Sequence, residues 1–271
     1  MSAINITIRN RRRAAQAGLL ARGILYAIVG VLALQIALGG GGGGGGEQPS
    51  QQGALKEVAA QPFGTVMVLL LGLGLLGYAL WRLSQFFTEK GDEDNEAKAW
   101  IQRISYIVRA VIYAGLSFVA FRIAFGSGGG GGNGQQTLTA RVMSWPGGRV
   151  LVGIVGLVII GVALYQAYQA FSDDFMDELR TEQMSPQTRV WVKRIGTAGH
   201  AARAIVFSLI GVFVIRAAVQ FDANEAVGLD GALQSLAQQP AGPWLLGFTA
   251  LGLLLYGVYS IVRARYVDVS E

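Results

Sequence analysis

The chain has 271 residues, 52% of them hydrophobic and only 14% charged, with a positive mean hydropathy. Soluble domains carry about 25% charged residues; here the charges are bunched into short blocks between long apolar runs, the pattern of a membrane protein. The lack of cysteine excludes disulfides, thiol catalysis and thiolate metal sites, and in this setting a net charge of +5 reflects orienting charges, not nucleic-acid binding.

Met1–Ala17 is a polar arm carrying Arg9, Arg11, Arg12 and Arg13, with no acidic residue before Glu47. Six apolar segments follow, at 18–38, 63–87, 104–125, 147–171, 196–220 and 241–262. Each has about 20 residues or more, enough helix at about 1.5 Å per residue to cross a hydrocarbon core of about 30 Å. None shows the period-two alternation of a barrel, and in lipid the backbone must satisfy its own hydrogen bonds, so the segments are predicted to be helices. A basic arm before an apolar segment also fits a signal peptide. Repetition argues for retention, because Arg22-Gly-Ile-Leu-Tyr26 recurs as Arg109-Ala-Val-Ile-Tyr113 and Arg203-Ala-Ile-Val-Phe207.

The stretch Gly53–Arg82 returns at Gly231–Ser260 and, in a worn form, at Gln136–Gln166. The predicted fold is therefore all-α: a polytopic membrane protein of six transmembrane helices in three parallel-repeat helical hairpins. Its parts are a basic arm (1–17), repeat 1 (18–87), a charged linker (88–101), repeat 2 (102–171), a second charged linker (172–195), repeat 3 (196–262) and a tail (263–271). Two spans per unit preserve orientation, so the pseudo-axis is expected along the membrane normal.

Seventeen Lys and Arg fall on the side of the termini, against Lys56, Arg141 and Arg149 on the other. That asymmetry predicts a bacterial inner-membrane protein with both termini cytoplasmic. The two linkers, with their blocks Glu89–Lys98 and Ser172–Gln183, lack the spacing of a Ca²⁺ loop and read as solvated surface. On the other side, Gly39–Gly46 and Gly126–Gly134 read as flexible spacers.

Each unit reads helix, outer loop, short amphipathic piece, proline, helix. In repeat 1 the apolar positions Ala54, Leu55, Val58 and Ala59 share one helical face, predicted to lie in the outer interface, and Leu233, Leu236 and Ala237 repeat it. Pro62, Pro146 and Pro240 are expected in the first turn of the following span, with Gly64, Gly148 and Gly242 as the matching structural glycines. Glycines in the even-numbered spans mark close helix packing. Among them, Gly72-Leu-Gly74-Leu-Leu-Gly77 matches a dinucleotide fingerprint but sits inside a continuous apolar helix, with no strand before it, so no nucleotide cofactor is expected. Tyr78, Trp81, Tyr165, Tyr168, Tyr256 and Tyr259 read as an aromatic belt.

The pattern Arg-x-x-x-Tyr-x-x-x-Gly, Gly-Ala-Leu, Gln-Pro-Phe-Gly and Gly-x-x-Gly-Tyr-x-x-Trp-Arg resembles the bacterial membrane family called domain of unknown function 1206. The resemblance covers residues 18–262 and implies three tandem copies of a two-helix unit; it implies no activity. Repeat 1 keeps every element, through Arg22, Tyr26, Gly30, Gly53, Gln61-Pro62-Phe63-Gly64, Tyr78 and Trp81. Repeat 2 departs at Gln136-Thr137 and Ser144-Trp145-Pro146, and repeat 3 at Phe207 and Tyr259.

No apolar segment contains Asp or Glu, which counts against a proton- or cation-coupled carrier. The intramembrane cations are Arg22, Arg109 and Arg203 near the cytoplasmic side, expected to snorkel to headgroups or cap carbonyls, and Arg122 and Arg216 near the outer end, where Gln35 holds the matching place in repeat 1. These five are the candidate lipid or anion contacts, with the outer pair as the candidate shared polar site. His200, the only histidine, lacks the partners of a metal or catalytic site and reads as a structural hydrogen bonder. No catalytic, cofactor-binding or metal residue is assigned. The expected role is a non-catalytic scaffold or accessory membrane subunit; the alternative is a small-solute or anion transporter between the repeats. Expected partners are the bilayer, with anionic lipid at the cytoplasmic face, and a membrane-protein partner or second copy, but no nucleic acid.

Overall fold

A computed structural model of the chain describes residues 2–39, 49–88, 96–126, 134–172, 174–177 and 179–267. Most of both poly-glycine tracts and the acidic block at 89–95 lie outside these residues. The long helices are α1 (Ser2–Ala37), α3 (Gly64–Thr88), α4 (Glu96–Ala124), α6 (Gly148–Ser172), α7 (Pro186–Gln220) and α9 (Gly242–Tyr266). All six are long and apolar enough to cross a membrane. Between the two long helices of each repeat lies a short one: α2 (Gln51–Ala60), α5 (Gly134–Met143) and α8 (Leu229–Ala237). The chain is a polytopic all-helical membrane protein of three two-helix repeats.

Helices α1, α4 and α7 run well past the apolar segments. For α7 the start is set by Ser185, whose hydroxyl accepts from Thr188 N, and by Pro186 in the first turn, where its missing N–H costs nothing. Gly39 and Gly126 close α1 and α4 in the left-handed conformation, and in repeat 3 Phe221 takes that conformation at a steric cost that glycine avoids.

The prolines precede the second helix of each unit by two residues and do not sit in its first turn. Phe63, Gly147 and Ala241 follow them with φ of 62°, 76° and 62°, making a left-handed corner in all three copies. The corner folds the short helix back onto the next one so tightly that a Cβ on Gly64, Gly148 or Gly242 would run into the carbonyl of Ala59, Val142 or Ala237. These glycines are required by close approach.

In space the long helices pack in the order α4, α3, α1, α9, α7, α6. Three of the joints are equivalent, second helix of one repeat against first helix of the next, counted cyclically: α3 with α4, α6 with α7, and α9 with α1. Small residues set each of them. A Cβ on Gly30 would stand 2.7 Å from Leu254 N, one on Gly257 2.6 Å from Ala27 N, and one on Gly211 2.7 Å from the Ile160 side chain. At α3–α4 the Ser117 hydroxyl donates to Gly72 O across 2.8 Å. Without a water-driven force between helices in lipid, such close approach supplies the association.

The joints within repeats are also equivalent, yet only two form. In repeat 1 Gly18 admits Tyr78, and Gly74 admits Ala21; in repeat 3 Gly199 admits Tyr256, and Gly252 admits Ala202. The matching residues of repeat 2 are Ser105, Val162, Val158 and Val108. Three of these are larger than the small residues they stand for and Val162 lacks the tyrosine ring, so the interlock is lost, and α4 and α6 stand apart with no sustained packing between them. The pseudo-threefold arc is thus open at one seam.

The short helices follow the same division. Leu55 of α2 and Leu233 of α8 are both 0% exposed, seated in the protein, whereas the matching Leu138 of α5 is 63% exposed. The linker after α6 is only partly surface. Asp174, Asp177 and Glu182 face out, but Phe175, Met176 and Leu179 are buried at the end of the bundle that holds both termini, hereafter the terminal end. There Leu179 bridges Val267, and Arg180 N donates to Tyr266 O at 2.9 Å.

Candidate functional site

The buried polar side chains are not scattered. Arg22, Arg82, Gln85, Gln166, Gln169, His200, Ser260 and Arg263 all lie in the terminal half of the long helices; only Ser117 and Thr249 are buried elsewhere among the described residues. Helical spacing explains this. Gly74, Tyr78, Arg82 and Gln85 lie four, four and three residues apart, one stripe of α3, and Gly252, Tyr256, Ser260 and Arg263 are the same stripe of α9. The glycine lets the neighbouring helix approach, and the residues one and two turns on are buried by it.

Against these stripes stand Arg22, Arg109 and Arg203, one from the first helix of each repeat. Arg22 donates through Nη1 to the Tyr78 hydroxyl at 3.1 Å and through Nη2 to Ser260 Oγ at 3.3 Å, and its guanidinium lies over the rings of Tyr78 and Tyr256, 5.6 and 5.2 Å from their centroids. Arg203 repeats this arrangement. Its Nη1 donates to the Tyr256 hydroxyl at 2.5 Å. The Gln166 amide, oriented by its network so that the nitrogen donates to His200 Nδ1, accepts from Arg203 Nη1 and Nη2 at 2.9 and 3.0 Å. Ser260 and Gln166 occupy the same repeat position.

In the third instance that position is Arg82, and the place of the tyrosine is taken by Val162. Arg109 therefore has neither a tyrosine nor a neutral acceptor at these two positions, and Arg82 lies over the ring of Tyr106, one turn before it on α4, at 5.7 Å. Arg82 spends Nε on the Tyr78 hydroxyl at 3.1 Å and Nη1 on Gln85 Oε1 at 2.7 Å, and stacks over Trp81 at 4.3 Å. Arg22 and Arg203 share the Tyr256 ring, 5.2 and 4.4 Å from its centroid, and Arg22 and Arg82 share the Tyr78 ring, at 5.6 and 5.2 Å. Arg263 adds a further cation to the group.

Aromatic rings wall the cluster. Tyr26 meets Tyr256 edge-on at 5.0 Å, and the equivalent pair Tyr113 and Tyr78 at 4.6 Å. Tyr78, Trp81, Tyr256 and Tyr259 are buried, so of the residues assigned to an aromatic belt only Tyr165 and Tyr168 are exposed. Distance from the helix end makes these tyrosines look interfacial; their register with Gly74 and Gly252 is what buries them. His200 stacks on Phe175 at 5.1 Å and leaves Nε2 buried without a partner.

Arg22 is 6% exposed and bound to neighbouring helices, not extended to the membrane surface, and Arg203 is likewise held by Tyr256 and Gln166. Arg122 and Arg216 sit at the opposite end, both exposed, with Arg216 paired to Glu225 at 3.2 Å and lying over Phe213. Gln35 is exposed too, and the structure brings these three into no common site among the described residues. Pro62, Pro146 and Pro240 are exposed corner residues distant from the cluster.

Guanidiniums present planar pairs of N–H donors that match the oxygens of a phosphate or carboxylate. The cluster contains no carboxylate among the described residues, and no group of three or more metal-ligating side chains occurs among them either.

Three successive parts of the chain, residues 17–88, 104–173 and 198–267, each match the family described as Domain of Unknown Function (DUF1206). The chain is 35% identical over 255 residues to "Uncharacterized protein YxxB" of Bacillus subtilis (strain 168), an alignment that covers 94% of this chain and 90% of that protein. No solved structure matches. Repeat count, helix order and repeated residues agree with those three matches, and the chain belongs to the DUF1206 family.

Proposed function

We propose that this protein is a non-catalytic membrane subunit that binds a phosphate-bearing anion at the arginine cluster, on the cytoplasmic side assigned by its charge asymmetry. One observation carries the reading: Arg22, Arg82 and Arg203 gather around Tyr78 and Tyr256 in the terminal half of the spans, with Arg109 at the matching place on α4, and the partners these four have among the described residues are neutral. A single arginine at the centre of a membrane helix costs about 2.5–3.5 kcal/mol. Buried charges are ordinarily paired, and tyrosine hydroxyls and amides orient Arg22, Arg82 and Arg203 without cancelling their charge. A bound dianion would turn the mutual repulsion into attraction.

Binding is favoured over passage through the protein. In the half away from the termini, the two buried polar side chains are spent on their surroundings, Ser117 on Gly72 O and Thr249 on Leu245 O, both at 2.8 Å. The test is thermal unfolding of the purified protein with inorganic phosphate, sulfate, acetate and chloride. A ligand at about 100 times its Kd stabilises by about 2.7 kcal/mol. Phosphate is expected to raise Tm more than chloride at equal ionic strength, and Arg109→Gln to abolish the difference. No anion-specific shift in the native protein would defeat the reading, and phosphate flux in reconstituted vesicles would favour the transporter instead.

A further inference from the structure

We infer that the anion is the headgroup phosphate of an anionic phospholipid, which enters sideways through the seam between α4 and α6 and leaves its acyl chain there. The inference rests on the anion-binding reading and adds the class of ligand and its route.

The seam is written into repeat 2. On α4 the exposed Val108 and Ile112 replace Ala21 and Leu25 of repeat 1 and Ala202 and Val206 of repeat 3, all buried at a helix joint. On α6 the exposed Val155, Val158, Val162 and Tyr165 form one stripe; their counterparts Leu71, Gly74, Tyr78 and Trp81, and Thr249, Gly252, Tyr256 and Tyr259, are all buried. At Val108, Val158 and Val162 a branched aliphatic residue stands where both other repeats have an alanine, a glycine and a tyrosine. A transmembrane partner helix is drawn to small-residue faces, and these faces have lost theirs. Branched side chains without polar atoms suit an acyl chain.

The charge sits at the correct end of this slot. Arg109 lies next to Val108 and one turn from Ile112, about 9 Å along the helix from Arg103, where the apolar span begins. It is the arginine of the three that has neither the tyrosine nor a neutral acceptor, and it is less buried than Arg22. Arg82 lies over the ring of Tyr106, one turn before Arg109 on α4, at 5.7 Å. Tyr165, half exposed and accepting from Gln169 Nε2 at 2.6 Å, ends the α6 stripe on its terminal side. A phosphate held by Arg109 and Arg82 thus has its glycerol and chains directed along Val108, Ile112, Val155, Val158 and Val162.

The experiment uses the full chain in phosphatidylcholine vesicles doped with phosphatidylglycerol bearing a photoactivatable acyl chain, with labelled peptides mapped by mass spectrometry. Labelling is expected at 108–112 and 155–162, several-fold above that from a zwitterionic phosphatidylcholine probe, and lost in Arg109→Gln. A second variant, Val108→Ala with Val158→Gly, restores the small pair found in the other repeats and is expected to close the seam, abolishing labelling while the protein stays folded. Equal labelling by both probes would overturn the inference. So would absence of seam labelling while inorganic phosphate still stabilises the protein through Arg109, and that outcome leaves the anion-binding reading standing. Because the chain has no native cysteine, Val108→Cys with Val158→Cys reports the remaining cases. A disulfide between two copies would assign the seam to a dimer and sink the lipid, and one within a single chain would show the seam closed.

Discussion

Tyr78 stands between two arginines, its hydroxyl accepting from Arg22 Nη1 and from Arg82 Nε, each at 3.1 Å. The equivalent Tyr256 accepts from Arg203 alone, because Ser260 replaces the second arginine. A hydrogen bond to a charged group contributes about 1.5–3 kcal/mol, and a buried donor left without its acceptor costs on that order. Tyr78→Phe is therefore expected to destabilise by roughly twice as much as Tyr256→Phe, about 3 kcal/mol against about 1.5. Thermal unfolding of the two variants in one detergent reads the order, and equal losses would contradict the shared hydroxyl.

Val162 marks the place where the third tyrosine is missing. Val162→Tyr is expected to give Arg109 a hydroxyl acceptor and to fill part of the open seam. Without added anion the variant should gain about 1 kcal/mol of stability, the net worth of such a bond. Its phosphate affinity should fall, since Arg109 then has a neutral competitor for its donors. Titration of wild type and variant with phosphate measures both effects, and unchanged affinity would disconnect Arg109 from the anion.

The glycines divide by surroundings, not by motif. Gly64→Ala, Gly148→Ala and Gly242→Ala each push a methyl into a carbonyl of the preceding short helix and are expected to lower Tm by several degrees. At Gly115 and Gly161 nothing lies within 4 Å of the place a methyl would take, and there Gly→Ala is expected to be neutral or stabilising by about 0.5–1 kcal/mol. Parallel Tm measurements on the five variants decide it.

Much of this architecture is legible in the chain. Hydropathy and length place the six helices, and the recurrence of Arg22, Arg109 and Arg203 places the repeats. The joints are harder to read, because which helices touch depends on pairs of small residues in different repeats: Gly23 with Gly257, Gly156 with Gly211. The site is half legible. Three of its arginines stand out as intramembrane cations, but Arg82 and Arg263 look like ordinary anchors at helix ends until the stripes from Gly74 and Gly252 are followed to them. The seam needs both levels at once. Val158 and Val108 are ordinary apolar residues in a membrane helix, and they acquire meaning only when their counterparts are seen to be a glycine and an alanine in contact.

The outer arginines provide the contrast that separates a binding centre from a surface pair. Arg216 and Glu225 form an ion pair with side chains 47% and 29% exposed, and pairs in that setting contribute about 0–1 kcal/mol. Arg216→Gln is expected to change stability by less than about 1 kcal/mol and to leave phosphate affinity as it was. Arg203→Gln removes a guanidinium held by Tyr256 and Gln166 at the centre of the cluster, and strands two buried acceptors. It should weaken phosphate binding about tenfold or more, the equivalent of about 1.4 kcal/mol. Titrating both variants in one buffer compares them directly, and a loss at Arg216 equal to that at Arg203 would move the anion site to the opposite end of the helices.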